Sequence, residues 1–228
     1  MRRHVLDYTF WCVSPFVLMA IAAYMVRGRL QRDVPSFFNF VLFGIASFAV
    51  EFPLRNWDNS FYVYWVITTL SAFFSFAVVV EIVEDIVRRT KALPHTNLAL
   101  LCWCTVAVLA LVAIWPPHYS MDNVTNGIYM VDRTVRFTQF ALAFFLVMFG
   151  AAVGISRRNL IFGIAGGFGL FALVNLGVTT LLSHGTPLSR ATLSRVNGAA
   201  YVICTFIWLA YVAKAAKEDS RGQLANAA

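Results

Sequence analysis

Seven uninterrupted apolar stretches, each 17 to 23 residues long and each ended by Arg, Asp, Asn or Pro, constrain this chain more than any other feature. At ~1.5 Å per residue a helix of that length crosses a hydrocarbon layer of roughly 30 Å. Hydrocarbon offers no water to the peptide groups, so only helices or closed barrels can span it. A barrel needs ten-residue strands of alternating polarity, and none occur. The expected fold class is therefore all-α, an integral membrane bundle of seven transmembrane helices at about 8–26, 34–52, 61–82, 97–115, 134–155, 160–182 and 196–212. These form one domain, 1–216, and the polar, small-residue tail 217–228 is expected to be disordered and cytoplasmic.

Composition agrees. Of 228 residues, 60% are hydrophobic and only 13% charged, and the mean hydropathy is +0.71, too apolar for one water-soluble globule. The net charge of +7 resides in short clusters between the apolar stretches, such as Arg27, Arg29 and Arg32, or Arg88, Arg89 and Lys91. Clusters in those places anchor helices at anionic lipid. No basic stripe with interleaved aromatics faces water, so no nucleic acid is expected as a partner. Cys12, Cys102, Cys104 and Cys204 lie inside apolar stretches, as small hydrophobes rather than a disulfide or zinc framework.

Sidedness follows from Lys and Arg. Eleven of the eighteen fall in the first, third and fifth connections and the tail, which places the N-terminus outside and the C-terminus in the cytoplasm. Arg2 and Arg3 oppose this and also resemble the start of a signal peptide. The long apolar run without a small-x-small cleavage site favours a retained helix.

Polar side chains inside spanning segments are costly unless they face the bundle interior. Ser36, Asn39, Phe43, Ser47 and Glu51 share one face of the second segment at 100° per residue. Tyr64, Thr68, Ser71 and Ser75 do so on the third, and Asn197, Tyr201, Cys204 and Trp208 on the seventh. With the expected topology, Glu51, Arg55, Tyr64, Arg136, Gln139, Asn175, Asn197 and Tyr201 converge in the outward half as a candidate ligand or ion pocket. The plainer alternative is a hydrogen-bonded cluster that holds helices together, with Glu51 neutralised by Arg55 or Arg136. At the inner end of the third segment stand Glu81, Glu84 and Asp85. Glu84 and Asp85 have i,i+4 partners in Arg88 and Arg89, whereas Glu81 has none on its own helix. It is expected either to contact a cytoplasmic partner or relay a proton, or simply to bridge to the basic loops.

His4, His95, His118 and His184 all lie outside the expected spans, and no Ser or Thr has a His within its own segment. No catalytic residue, metal site or cofactor is assigned, and the chain is not expected to be an enzyme. Gly150 and Gly154 form a GxxxG, and Gly163, Gly166, Gly167 and Gly169 are expected to let helices pack closely within the bundle. Asn123-Val124-Thr125 matches the glycosylation sequon in an expected outer loop.

Microbial rhodopsins share the seven-helix plan but hold retinal on a lysine midway along the last helix. Here Ile203, Cys204 and Thr205 occupy that place. Tyr64-Trp65, Glu81 ending the third segment, Arg133 with Arg136 and Gln139 opening the fifth, Gly163 to Gly169, and Asn197 opening the seventh resemble small bacterial seven-helix membrane proteins. The plan is also similar to the seven-helix sensor regions that precede histidine kinases. That resemblance implies a multi-pass inner-membrane protein of sensor or receptor type whose signal passes to a separate protein, since the tail is too short for a kinase domain. A small-solute or ion carrier and an accessory subunit of a membrane complex are the alternatives. Expected partners are the bilayer, a small ligand or ion, and a separate membrane or cytoplasmic protein.

Overall fold

The computed structural model describes residues 2–54, 60–90, 123–149, 159–183 and 189–227. Among these are six α-helices: α1 (Arg2–Arg27), α2 (Pro35–Leu54), α3 (Ser60–Thr90), α4 (Asn123–Phe149), α5 (Leu160–Ser183) and α6 (Arg190–Ala227). No strand occurs among the described residues. The segment expected at 97–115, Arg55, Gly150 and Gly154 lie outside them. Each helix packs against its neighbours in chain order, and α6 returns to pack on α1, so the six close a ring.

Inside the ring runs a continuous apolar core. Ile21 and Met25 of α1, Phe37 and Val41 of α2, Val78 and Ile86 of α3, Leu146 of α4, Ile164 of α5, and Trp208 and Val212 of α6 are buried almost completely. On α6 the buried positions Ala200, Cys204, Trp208, Val212 and Ala216 recur every four residues and form one stripe. Trp208 is the hub. Its ring lies 4.8 Å from that of Phe168, 5.6 Å from Phe37 and 5.8 Å from Phe40, and its indole N–H donates to the Ile164 carbonyl at 3.1 Å. A buried indole N–H needs such an acceptor.

Among the described residues many large apolar side chains lie on the outside of the ring. Phe16 is 67% exposed, Phe73 66% and Phe144 57%, and Ile203, Phe206 and Leu173 also point outward. Water tolerates no apolar surface of this extent on a monomer, whereas a bilayer requires it. Pro35–Leu54, Val63–Ile86, Leu160–Leu181 and Ala191–Glu218 are each long and apolar enough to cross a membrane, and Val13–Arg27 is a shorter apolar helix. The chain is a helical membrane protein.

Several helices run past the expected limits. α4 starts at Asn123, not 134, and takes in the sequon and Asp132. α6 spans Arg190–Ala227, beyond 196–212 on both sides, and the expected disordered tail 217–228 is helical as far as Ala227. The reason is local: the stretch is rich in Ala and Lys, strong helix formers, and Lys214 pairs with Glu218 one turn on at 3.8 Å.

Candidate functional site

α5 and α6 begin with their own caps. The Asn159 carboxamide oxygen accepts the Ile161 N–H at 3.1 Å, and the Ser189 hydroxyl accepts the Thr192 N–H at 3.2 Å. α2 begins with Val34-Pro35, which has no capping side chain. Glu81 of α3 fills the place: its two carboxylate oxygens accept the N–H groups of Ser36 at 3.0 Å and Phe37 at 3.2 Å. Pro35 has no N–H, and the next amide, Phe38, reaches the Val34 carbonyl at 3.1 Å. Every amide of the first turn thus has a partner, and a carboxylate sits at the positive end of the helix dipole. The expected bridge from Glu81 to the basic loops is not what holds it. Glu84 pairs with Arg88 at 3.3 Å on the exposed side, as expected, and with Asp85 and Arg32 they line a groove of about 560 Å³ around the clasp.

At the opposite end of α2 a second cavity, of about 310 Å³, opens between α1, α2, α3 and α6, with Phe171 of α5. Its walls are the middle of α1 (Ser14, Pro15, Leu18), the second half of α2 (Gly44, Ser47, Phe48, Glu51), Ile67 and Ser71 of α3, and Asn197, Gly198 and Tyr201 of α6. A Cβ on Gly44 would stand 2.9 Å from Leu18 Cδ1, at the far end of a flexible side chain. The Ser47 hydroxyl donates to the Phe43 carbonyl at 2.8 Å on its own helix, so only its lone pairs remain for the cavity. Glu51 has no hydrogen-bond or ion-pair partner among the described residues.

Of the residues expected to converge, Glu51, Asn197 and Tyr201 line this cavity. Asn175 supports it from behind, its side-chain amide donating to the side-chain Oδ1 of Asn197 at 3.3 Å. Arg136 and Gln139 form a separate cluster on α4. The Arg136 guanidinium bonds to the Gln139 side-chain oxygen at 3.3 Å, pairs with Asp132 at 3.2 Å, and lies 4.8 Å above the Phe171 ring, which stacks edge-on against Tyr201 at 5.4 Å. The cluster therefore touches the cavity only through the backs of two of its rings. Arg136 is matched to Asp132 and not to Glu51. Tyr64 is not brought in: it is 56% exposed and packs on Trp65. Asn39 also faces outward, because Phe37, Phe40 and Val41 take the inner face of α2.

The sequence reading missed Ser14, Pro15, Gly44, Phe48 and Phe171 as wall residues. Small or apolar residues in a spanning helix carry no mark of which helix they face. Comparison with known protein families, curated proteins and solved structures gives no match.

Proposed function

We propose that the chain is a ligand-responsive receptor of the bacterial inner membrane. It has seven spans, the N-terminus and the Glu51 cavity face outward, and the Glu81 end and the C-terminus face the cytoplasm. The excess of Lys and Arg at the Glu81 end supports that sidedness, and the resemblance to seven-helix sensor regions accords with it.

One observation carries the reading: α2 walls the cavity at one end and has its other end held from α3 by Glu81. Ser36 and Glu51 are fifteen residues apart, about 22 Å along a helix. A rigid helix transmits a displacement at one end to the other, and an all-or-none clasp at the far end turns a small shift into two states. Occupation of the cavity pushes on Phe43, Ser47 and Glu51. The resulting movement loads the Glu81 clasp, and its opening changes the charged groove of Arg32, Glu84, Asp85 and Arg88 that a cytoplasmic partner reads.

Hydrogen exchange at the Ser36 and Phe37 amides tests this. Receptor behaviour predicts that a solute bound in the cavity changes their exchange rate at least threefold in lipid nanodiscs. By reciprocity, Glu81→Ala changes the affinity of that solute by the same coupling factor. Solute binding that leaves both amides untouched removes the receptor reading. Uptake of the solute into proteoliposomes that vanishes in Glu51→Gln puts a carrier in its place.

A further inference from the structure

Resting on the assignment of the Glu51 cavity as a ligand site, we infer that its ligand is a small organic cation of the substituted-ammonium class. Charge is the first argument. Among the described residues Glu51 is the sole carboxylate on the wall, and none of the described Lys or Arg lines the cavity. Arg136, which lies 4.8 Å from the ring of the lining Phe171, is already matched by Asp132 at 3.2 Å. A half-buried carboxylate without a counter-ion is expensive in low dielectric, and an entering cation removes that cost while an anion adds to it.

The second argument is the wall around Glu51. Phe40, Phe43, Phe48, Phe171 and Tyr201 all face the cavity. Ring faces attract cations, and alkylated ammonium groups best of all, because their methyl and ethyl groups also gain from apolar contact. Phe171 already serves one cation in this way, with the Arg136 guanidinium 4.8 Å from its centroid. Ser47 has given its proton to Phe43, so its lone pairs remain as acceptors beside the Glu51 carboxylate.

Size and hardness narrow the class. A space of about 310 Å³, at the ~30 Å³ that one water takes up, holds a molecule of about ten non-hydrogen atoms. A bare metal ion is a poor match, since hard cations need six or more oxygen ligands and most of this wall is ring and aliphatic carbon. Among the described residues no group of three metal-ligating side chains occurs anywhere.

The test is equilibrium dialysis of the full chain in nanodiscs of zwitterionic lipid, with radiolabelled tetraethylammonium as probe and 3-ethylpentan-3-ol and 2-ethylbutyrate as neutral and anionic competitors. The expected result is saturable binding of one tetraethylammonium per chain that neither competitor displaces. Glu51→Gln weakens it tenfold or more, Glu51→Asp, which keeps the charge, by less than about threefold, and Phe43→Leu by about two- to fivefold, as loss of one ring face implies. Monodisperse elution and unchanged helicity show that each variant is folded. Should Glu51→Gln, folded by those measures, bind tetraethylammonium as tightly as the unaltered chain, the inference is overturned. Direct saturable binding of the alcohol or the carboxylate, with none of the cation, overturns the ligand class and leaves the cavity as a site of other chemistry. If none of the three binds the folded chain, both the class and the cavity assignment fall.

Discussion

Gly163 and Gly167 sit one turn apart on α5, and a Cβ on either would enter space held by the rings of Tyr211 and Trp208 on α6. Gly166, between them, has open space in front of it. The difference gives a paired prediction. Gly167→Ala overpacks the interface and lowers stability by about 1–3 kcal/mol, whereas Gly166→Ala is neutral or stabilising by up to about 1 kcal/mol through helix propensity alone. Reversible unfolding in mixed micelles measures both, and equal effects would mean that the close approach of α5 and α6 is not what Gly167 serves. The sequence showed that this stretch is built for tight packing. It could not rank the glycines, because which of them faces α6 depends on the rotation of α5, which an apolar helix with no polar side does not reveal.

At the scale of elements, Asp132 and Arg136 of α4 show how a boundary error hides chemistry. With a helix expected from 134, the acid set against Arg136 is Glu51 of the second segment. With α4 starting at Asn123, Asp132 lies one turn before Arg136, and both side chains are largely buried, 22% and 11% exposed. A pair in that setting is strongly coupled. A double-mutant cycle with Asp132→Asn and Arg136→Gln is predicted to give a coupling of at least about 1 kcal/mol, with Asp132→Asn alone the more harmful because it leaves the arginine uncompensated. Additive single effects would show that the pair is dispensable. The Glu81 clasp was illegible for a different reason. Its partners are the backbone amides of Ser36 and Phe37, and counting charges cannot find a partner that has none.

For the molecule as a whole, the apolar periods were legible because hydrocarbon demands length and uniformity, and these are written residue by residue. Four of the expected stretches, 34–52, 61–82, 160–182 and 196–212, overlap the four helices that, among the described residues, are long and apolar enough to cross a membrane. Neighbour relations were not legible: nothing in the residue order announces that α6 packs on α1. Ile203, 54% exposed on the outer face of α6, tests the lipid-facing surface. Ile203→Arg there is predicted to cost about 3 kcal/mol of insertion free energy, read as the fraction inserted in a translocon assay. A cost near zero would place that face against protein or water.

The closure of α6 onto α1 has a consequence for biosynthesis. A ribosome delivers α1 first and α6 last of the described helices, so during translation α1 must wait in the lipid with half of its partner surface unclaimed. Asn197, Gly198 and Tyr201 arrive only at that last moment. No nascent intermediate possesses the Glu51 chamber, whose described wall is completed in one step when α6 docks.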